Sequence, residues 1–145
     1  MALPNPVQGL VIRYSYLWRS EHLRGRDEGV KDRPCAVILV TRLENEDRVV
    51  TVLPITHTPP LELSFAVEIP HSTKQRLGLD AERSWVMLSE ANRFVWPGPD
   101  LRPLRGADVA SIAYGMLPYR LMEDIRMKFI AHIKARRAKL VSRTE

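Results

Sequence analysis

Cysteine is nearly missing from this 145-residue chain. The single Cys35 cannot close an intramolecular disulfide, and alone it cannot supply the several ligands of a structural zinc site. A reducing compartment, the cytoplasm, is therefore expected. Long apolar runs are missing too. The longest aliphatic stretch, Ala36 to Val40, falls far short of the roughly 20 residues of a membrane helix, so no membrane association is expected. The opening Met1-Ala2-Leu3-Pro4-Asn5-Pro6 lacks a basic segment followed by an apolar one, so no secretory leader is expected. Neither an internal repeat nor a low-complexity tract is visible. Negative charge is in deficit: 22 Lys and Arg face 17 Asp and Glu, giving +5 and a pI near 9.7, a surplus that suits a polyanionic partner. With 45% apolar residues the chain can bury an ordinary core, and its length fits one domain over residues 1–145.

What is present is a series of short strands. Residues 9–18 are rich in β-branched and aromatic side chains, and Ile12, Tyr14 and Tyr16 alternate with Arg13 and Ser15, predicting a strand with one buried face. Residues 19–32 are polar and punctuated by glycine, predicting a long loop, and loops of that length in compact domains are often functional. Residues 35–41 form an almost continuous apolar strand, suited to the middle of a sheet, with Pro34 at its start where a missing N–H does least harm. A polar turn at 42–47 and a Val-rich strand from Arg48 to Ile55 complete a hairpin.

Beyond the break at His57-Thr58-Pro59-Pro60, further strands are predicted over Phe65–Ile69 and Ser84–Leu88, with Ala91–Trp96 continuing after a bend and a helical turn from Ser72 to Gly78 between them. After Pro97-Gly98-Pro99 the pattern changes. Pro118 suits a first helical turn, and Leu121, Met122, Ile125, Phe129, Ile130 and Ile133 form one apolar stripe. The basic residues from Lys134 to Arg143 suit the end of that helix, opposing its dipole, and read as a solvated helix end or as an RNA-binding tail. Five or six strands followed by a long helix predict an α+β fold, a small curved β-barrel crossed by the helix.

Two segments carry a resemblance. Lys31-Asp32-Arg33-Pro34 followed by the Cys35–Val40 strand, and Val52-Leu53-Pro54-Ile55-Thr56, resemble the basic-x-Arg-Pro and Pro-Ile-Thr motifs of the PemK/MazF toxins of type II toxin–antitoxin systems. Order, spacing and strand context agree, and Gly9 fits that family's opening glycine. Leu10 stands where the family often has Asp, and the loop before Arg33 is longer and more charged. The resemblance covers roughly residues 9–135. It implies an SH3-like barrel with a C-terminal helix, a homodimer, and a cognate antitoxin. It also implies metal-independent cleavage of single-stranded RNA, with no cofactor, by attack of the 2′-hydroxyl to give a 2′,3′-cyclic phosphate and a 5′-hydroxyl.

Such a reaction needs charge stabilisation at phosphorus and an in-line 2′-hydroxyl. The resemblance implies Arg33 and Thr56 as catalytic residues. The guanidinium fork of Arg33 matches two phosphate oxygens, and the hydroxyl of Thr56 can position them. Each also has a structural reading, a stacked surface arginine and a strand-end threonine bonded to its own backbone. His57 is a substrate-binding candidate and, by residue type, a possible base, although alternation along a strand would turn it away from Thr56 unless the chain has already turned toward Pro59. Arg24, Arg26 and Lys31 in the loop are candidates for following an RNA backbone, with Glu21, Asp27 and Glu28 offsetting their charge. Trp18, Trp85 and Trp96 suit base stacking or the core. The other histidines show no metal-ligand spacing, and no metal site is expected. The alternatives to catalysis are a module on the same barrel that binds nucleic acid or DNA gyrase without cutting, and a scaffolding domain.

Overall fold

A computed structural model describes residues 3–25, 31–104 and 111–143. Its strands are β1 (Leu10–Tyr14), β2 (Arg33–Arg42), β3 (Arg48–Thr56), β4 (Ala66–Glu68), β5 (Trp85–Met87), β6 (Glu90–Val95), β7 (Ala113–Met116) and β8 (Lys139–Ser142). Its helices are α1 (Arg19–Leu23), α2 (His71–Leu77) and α3 (Tyr119–Lys134). The strands form an eight-stranded sheet in the order β4-β5-β3-β2-β1-β7, with β6 on β3 and β8 on β6. All pairings are antiparallel except β6–β8, which is parallel.

The apolar run read as a central strand is β2, flanked by β1 and β3. Its side chains alternate between two cores. Ala36 and Ile38 join Leu53, Ile55, Leu88, Ile125 and Phe129, whereas Cys35 and Val37 join Ile12, Tyr14, Val50, Val52 and Phe94. A strand buried on both faces has no polar positions to spare, hence the unbroken apolar run. Burial also pushes the Cys35 thiol well above the ordinary thiol range, despite the nearby charges of Arg33 and Arg143. α3 covers the first core with Met122, Ile125 and Phe129.

Gly9 precedes β1 with φ +96, a left-handed conformation that L side chains rarely adopt, and a Cβ there would lie 3.2 Å from Met122 Cγ beneath α3. Its backbone links the strands: its N–H bonds the Val37 carbonyl and its carbonyl accepts from the Leu117 N–H.

The α+β class is as expected, but pairing among the described residues leaves the sheet open. Between its ends lies α2 rather than a closing ladder: Arg76 donates to the Met116 carbonyl at 2.6 Å, and Leu77 packs at Gly115. Helix α3 also stops earlier than its basic tail suggested. Arg136 has φ 59, and the Arg137 N–H bonds the His132 carbonyl, a left-handed helix stop made without glycine. Residues 139–142 then leave as β8. No helix among the described residues is long and apolar enough to cross a membrane.

Candidate functional site

The hairpin brings the two motifs together. β2 and β3 pair with Cys35 opposite Pro54 and Ala36 opposite Leu53, and continuing that register sets Arg33 across from Thr56. On its other side Arg33 pairs with Tyr14 of β1, and Thr56 pairs with Trp85 of β5. Both motif residues therefore sit at one end of the central strands, on backbone held from two sides. They line a cleft of about 630 Å³ together with Trp18, Lys31, His57, Lys74 and Asp80.

Arg33 is a cation without a counter-ion among the described residues. Its neighbour Asp32 is engaged elsewhere, by Arg13 at 3.5 Å and Arg102 at 3.6 Å. The Arg33 guanidinium instead lies over the Trp18 ring, 4.9 Å from the centroid, and its Nε is buried with no hydrogen-bond partner. A buried N–H left unbonded is costly, so this guanidinium is held in the cleft by packing rather than by hydrogen bonds at Nε. Trp18 is itself fixed: its N–H donates to Glu21, and the N–H of the next residue, Arg19, donates to Glu90. Burial raises the Glu90 carboxyl above its ordinary range, although hydrogen bonds from Arg19 and Tyr16 oppose the shift.

The Thr56 oxygen accepts the Thr58 N–H at 3.2 Å, which starts the turn toward Pro59. The hydroxyl hydrogen remains able to donate. Thr56 is the last residue of β3, so strand alternation ends there. His57 lies in the bend toward Pro59 and lines the same cleft.

His57 is held by a group that the sequence reading missed. Its Nε2 is 2.8 Å from Asp80 Oδ2, and Nδ1 is 3.7 Å from Glu82 Oε2. Asp80 is held in turn by Lys74, whose ammonium lies 2.6 Å from Oδ1 and also bonds Ser84 Oγ and the Glu82 carbonyl. The Lys74 side chain is only 3% exposed. Desolvation raises the Asp80 carboxyl, but the hydrogen bond and charge of Lys74, the charge of His57 and the Glu82 N–H outweigh it and hold it below the ordinary carboxylate range.

A depressed native pKa stabilises the fold above the unfolded value and loses that contribution as pH falls. Asp80→Asn will therefore lower the melting temperature at pH 7, and the gap to wild type will narrow below the ordinary carboxylate value of about 3.9. Thermal unfolding across that range checks it. A gap independent of pH would mean that the carboxylate charge contributes nothing.

The histidine spacing in the sequence offered no metal site, yet His57, Asp80 and Glu82 bring ligand atoms within 4.8 Å of one another. All three are exposed, and Asp80 already bonds Lys74 through Oδ1 and His57 through Oδ2, so a cation on Oδ2 would have to displace the His57 N–H.

Of the remaining candidates, Lys31 lines the cleft, Arg24 is exposed beyond α1 outside it, and Arg26 lies outside the described residues. The loop assigned to residues 19–32 begins with the short α1. Of the tryptophans, Trp18 faces the cleft, whereas Trp85 and Trp96 are buried. No local signal announced Lys74 or Asp80. Their roles depend on packing the α2–β5 connection against the end of β3.

Comparison with curated proteins finds no match. The family model for the PemK-like, MazF-like toxin of type II toxin–antitoxin systems matches residues 20–94, more than half of the chain and a span that includes both motifs and most of the cleft. The chain thus belongs to the PemK-like, MazF-like toxin family.

Proposed function

We propose that this toxin is a metal-independent endoribonuclease that cuts single-stranded RNA, messenger RNA above all, and so arrests translation and growth. The observation that carries the reading is the pairing of an uncompensated guanidinium with a strand-end hydroxyl, Arg33 opposite Thr56, in one cleft. Arg33 binds the phosphoryl oxygens and stabilises charge as it builds on them. Thr56 donates to one of those oxygens and orients the phosphate for in-line attack by the 2′-hydroxyl. A fixed arginine cation supplies the electrostatics for which other nucleases use metal ions.

Lys31 and Arg24 extend the basic path for the RNA backbone, and the +5 chain charge strengthens encounter with it. The whole chain acts as one domain, in the cytoplasm and as a homodimer. Its cognate antitoxin covers the cleft with a disordered acidic tail.

The test is a gel assay of the purified protein with a long mixed-sequence single-stranded RNA in EDTA. Cuts at a few discrete sites, leaving 2′,3′-cyclic phosphate and 5′-hydroxyl ends, and an untouched DNA oligonucleotide are the expected result. Tight binding that leaves the RNA intact would sink the catalytic reading in favour of a module that binds RNA or gyrase.

A further inference from the structure

We propose that His57 is a third reacting group of this site, the base that takes the 2′-hydroxyl proton, and that Asp80 is its positioning residue. The proposal rests on the ribonuclease reading above and adds what that reading lacks, since neither a guanidinium nor a threonine hydroxyl accepts a proton at neutral pH. In the step proposed, the 2′-oxygen forms its bond to phosphorus while its proton passes to His57. The bond from phosphorus to the 5′-oxygen breaks, and that oxygen takes a proton from water in the open cleft. His57 then returns its proton to solvent. One phosphodiester becomes one cyclic phosphate and one hydroxyl, with no other reactant.

The geometry selects the nitrogen that does this. Asp80 is an acceptor at Oδ2, since its Oδ1 is taken by the Lys74 ammonium and the Glu82 N–H. The imidazole nitrogen 2.8 Å from Oδ2, Nε2, must therefore carry the proton. In neutral His57 the lone pair falls on Nδ1, whose nearest carboxylate oxygen, on Glu82, is 3.7 Å away and beyond hydrogen-bond range. A base held in one tautomer by a carboxylate, itself anchored by a buried lysine, is the arrangement that proton abstraction requires. The charged groups sharing the cleft with His57 are Asp80 and Glu82 from the α2–β5 connection, Lys74 from α2, and Lys31, Asp32 and Arg33 at the start of β2. The two carboxylates nearest the ring stabilise the imidazolium formed in the step.

The test follows RNA cleavage in EDTA as a function of pH for wild type, His57→Gln and Asp80→Asn. Affinity is measured in parallel on an RNA of the cleaved sequence with 2′-deoxyribose at the scissile nucleotide. His57→Gln is expected to cut at least about 100-fold more slowly, to lose the acid limb of the pH–rate profile and to bind the deoxy RNA as wild type does. Asp80→Asn is expected to keep that limb but move it to lower pH. A structural clamp would not produce either change in the profile. His57→Gln cutting at the wild-type rate with the wild-type profile overturns the proposal and leaves the ribonuclease reading standing. If that variant does not fold, the position of the limb in Asp80→Asn decides, and an unmoved limb overturns the proposal. Wild type that cuts only when a divalent metal replaces EDTA overturns it in favour of a cation on His57, Asp80 and Glu82. Wild type inert in every condition overturns both readings together.

Discussion

Arg33→Ala will fold normally and lose at least about 100-fold of the RNA cleavage rate, the usual effect of removing a transition-state charge stabiliser. The fold should tolerate the change because the side chain supports little of it. Its guanidinium forms no ion pair among the described residues, and its stacking on the Trp18 ring contributes on the order of 1 kcal/mol. Removing it even relieves the buried Nε of an unmet hydrogen bond. The catalytic loss is large for the same reason: the lysines lining the cleft do not replace it. Lys31 is exposed, and Lys74 is committed to Asp80 and Ser84.

Arg33→Lys will not restore the rate. An ammonium keeps the charge but cannot span two phosphate oxygens or stack on Trp18 as a planar fork does. Single-turnover rates read beside affinity for a 2′-deoxy RNA separate the roles. A fall in rate at unchanged affinity marks Arg33 as acting in the transition state. An equal fall in both marks it as a binding residue only. Full activity in Arg33→Ala would remove it from the site.

The contrast between Arg33 and His57 shows what a sequence discloses. Arg33 and Thr56 were legible as neighbours because a hairpin is local. An apolar strand, a polar turn at 42–47 and a Val-rich strand predict the pairing but not its register: continuing Arg42 opposite Arg48 would set position 33 against 57, and a bulge between Val37 and Leu39 moves it to 56. The His57–Asp80 contact was hidden because it depends on how α2 and the segment after Gly78 pack against the end of β3. Strand alternation alone could not place His57, since the hydrogen bond from the Thr58 N–H to the Thr56 hydroxyl turns the chain toward Pro59 just past the end of β3 at Thr56.

Similar limits apply to the fold. The α3 stripe was plain from spacing, but the end of that helix was not, because Arg136 takes the left-handed position where glycine usually signals a stop. Lys139–Ser142 then resembles a continued basic helix, and only its parallel partner β6 makes it a strand. Among the described residues β7 is an edge strand whose one strand partner is β1, and its Ala-Tyr-Gly-Met sequence has no alternation to mark it. α1 is only five residues long, too short for a period to show.

The second large effect is on stability, and it arises in the segment read as a helix tail. Arg143, just after β8, pairs with Asp100 at 3.0 Å, with side chains only 3% and 8% exposed. The same guanidinium donates to the Ser15 carbonyl at 2.9 Å and Asn92 Oδ1 at 3.0 Å, and lies 5.6 Å from the Tyr14 ring centroid. Arg143→Ala is expected to destabilise the protein by about 3–5 kcal/mol, because truncating one member of a buried pair leaves the other charge desolvated with less compensation. Urea unfolding of the variant beside wild type reads the difference. A loss below about 1 kcal/mol, the ordinary size for an exposed pair, would mean that this end of the chain is not docked as described.

Replacing the pair together, as Arg143→Met with Asp100→Leu, should recover much of the loss, since apolar substitutes for a buried ion pair are often neutral. The recovery will stay incomplete, because Ser15 and Asn92 still lose their donor. Asn92 also clasps Leu17 through both backbone groups, accepting at 2.8 Å and donating at 2.7 Å, and Leu17 precedes the Trp18 on which Arg33 rests. Arg143 variants that remain folded should therefore cut RNA more slowly, with no residue of the cleft changed.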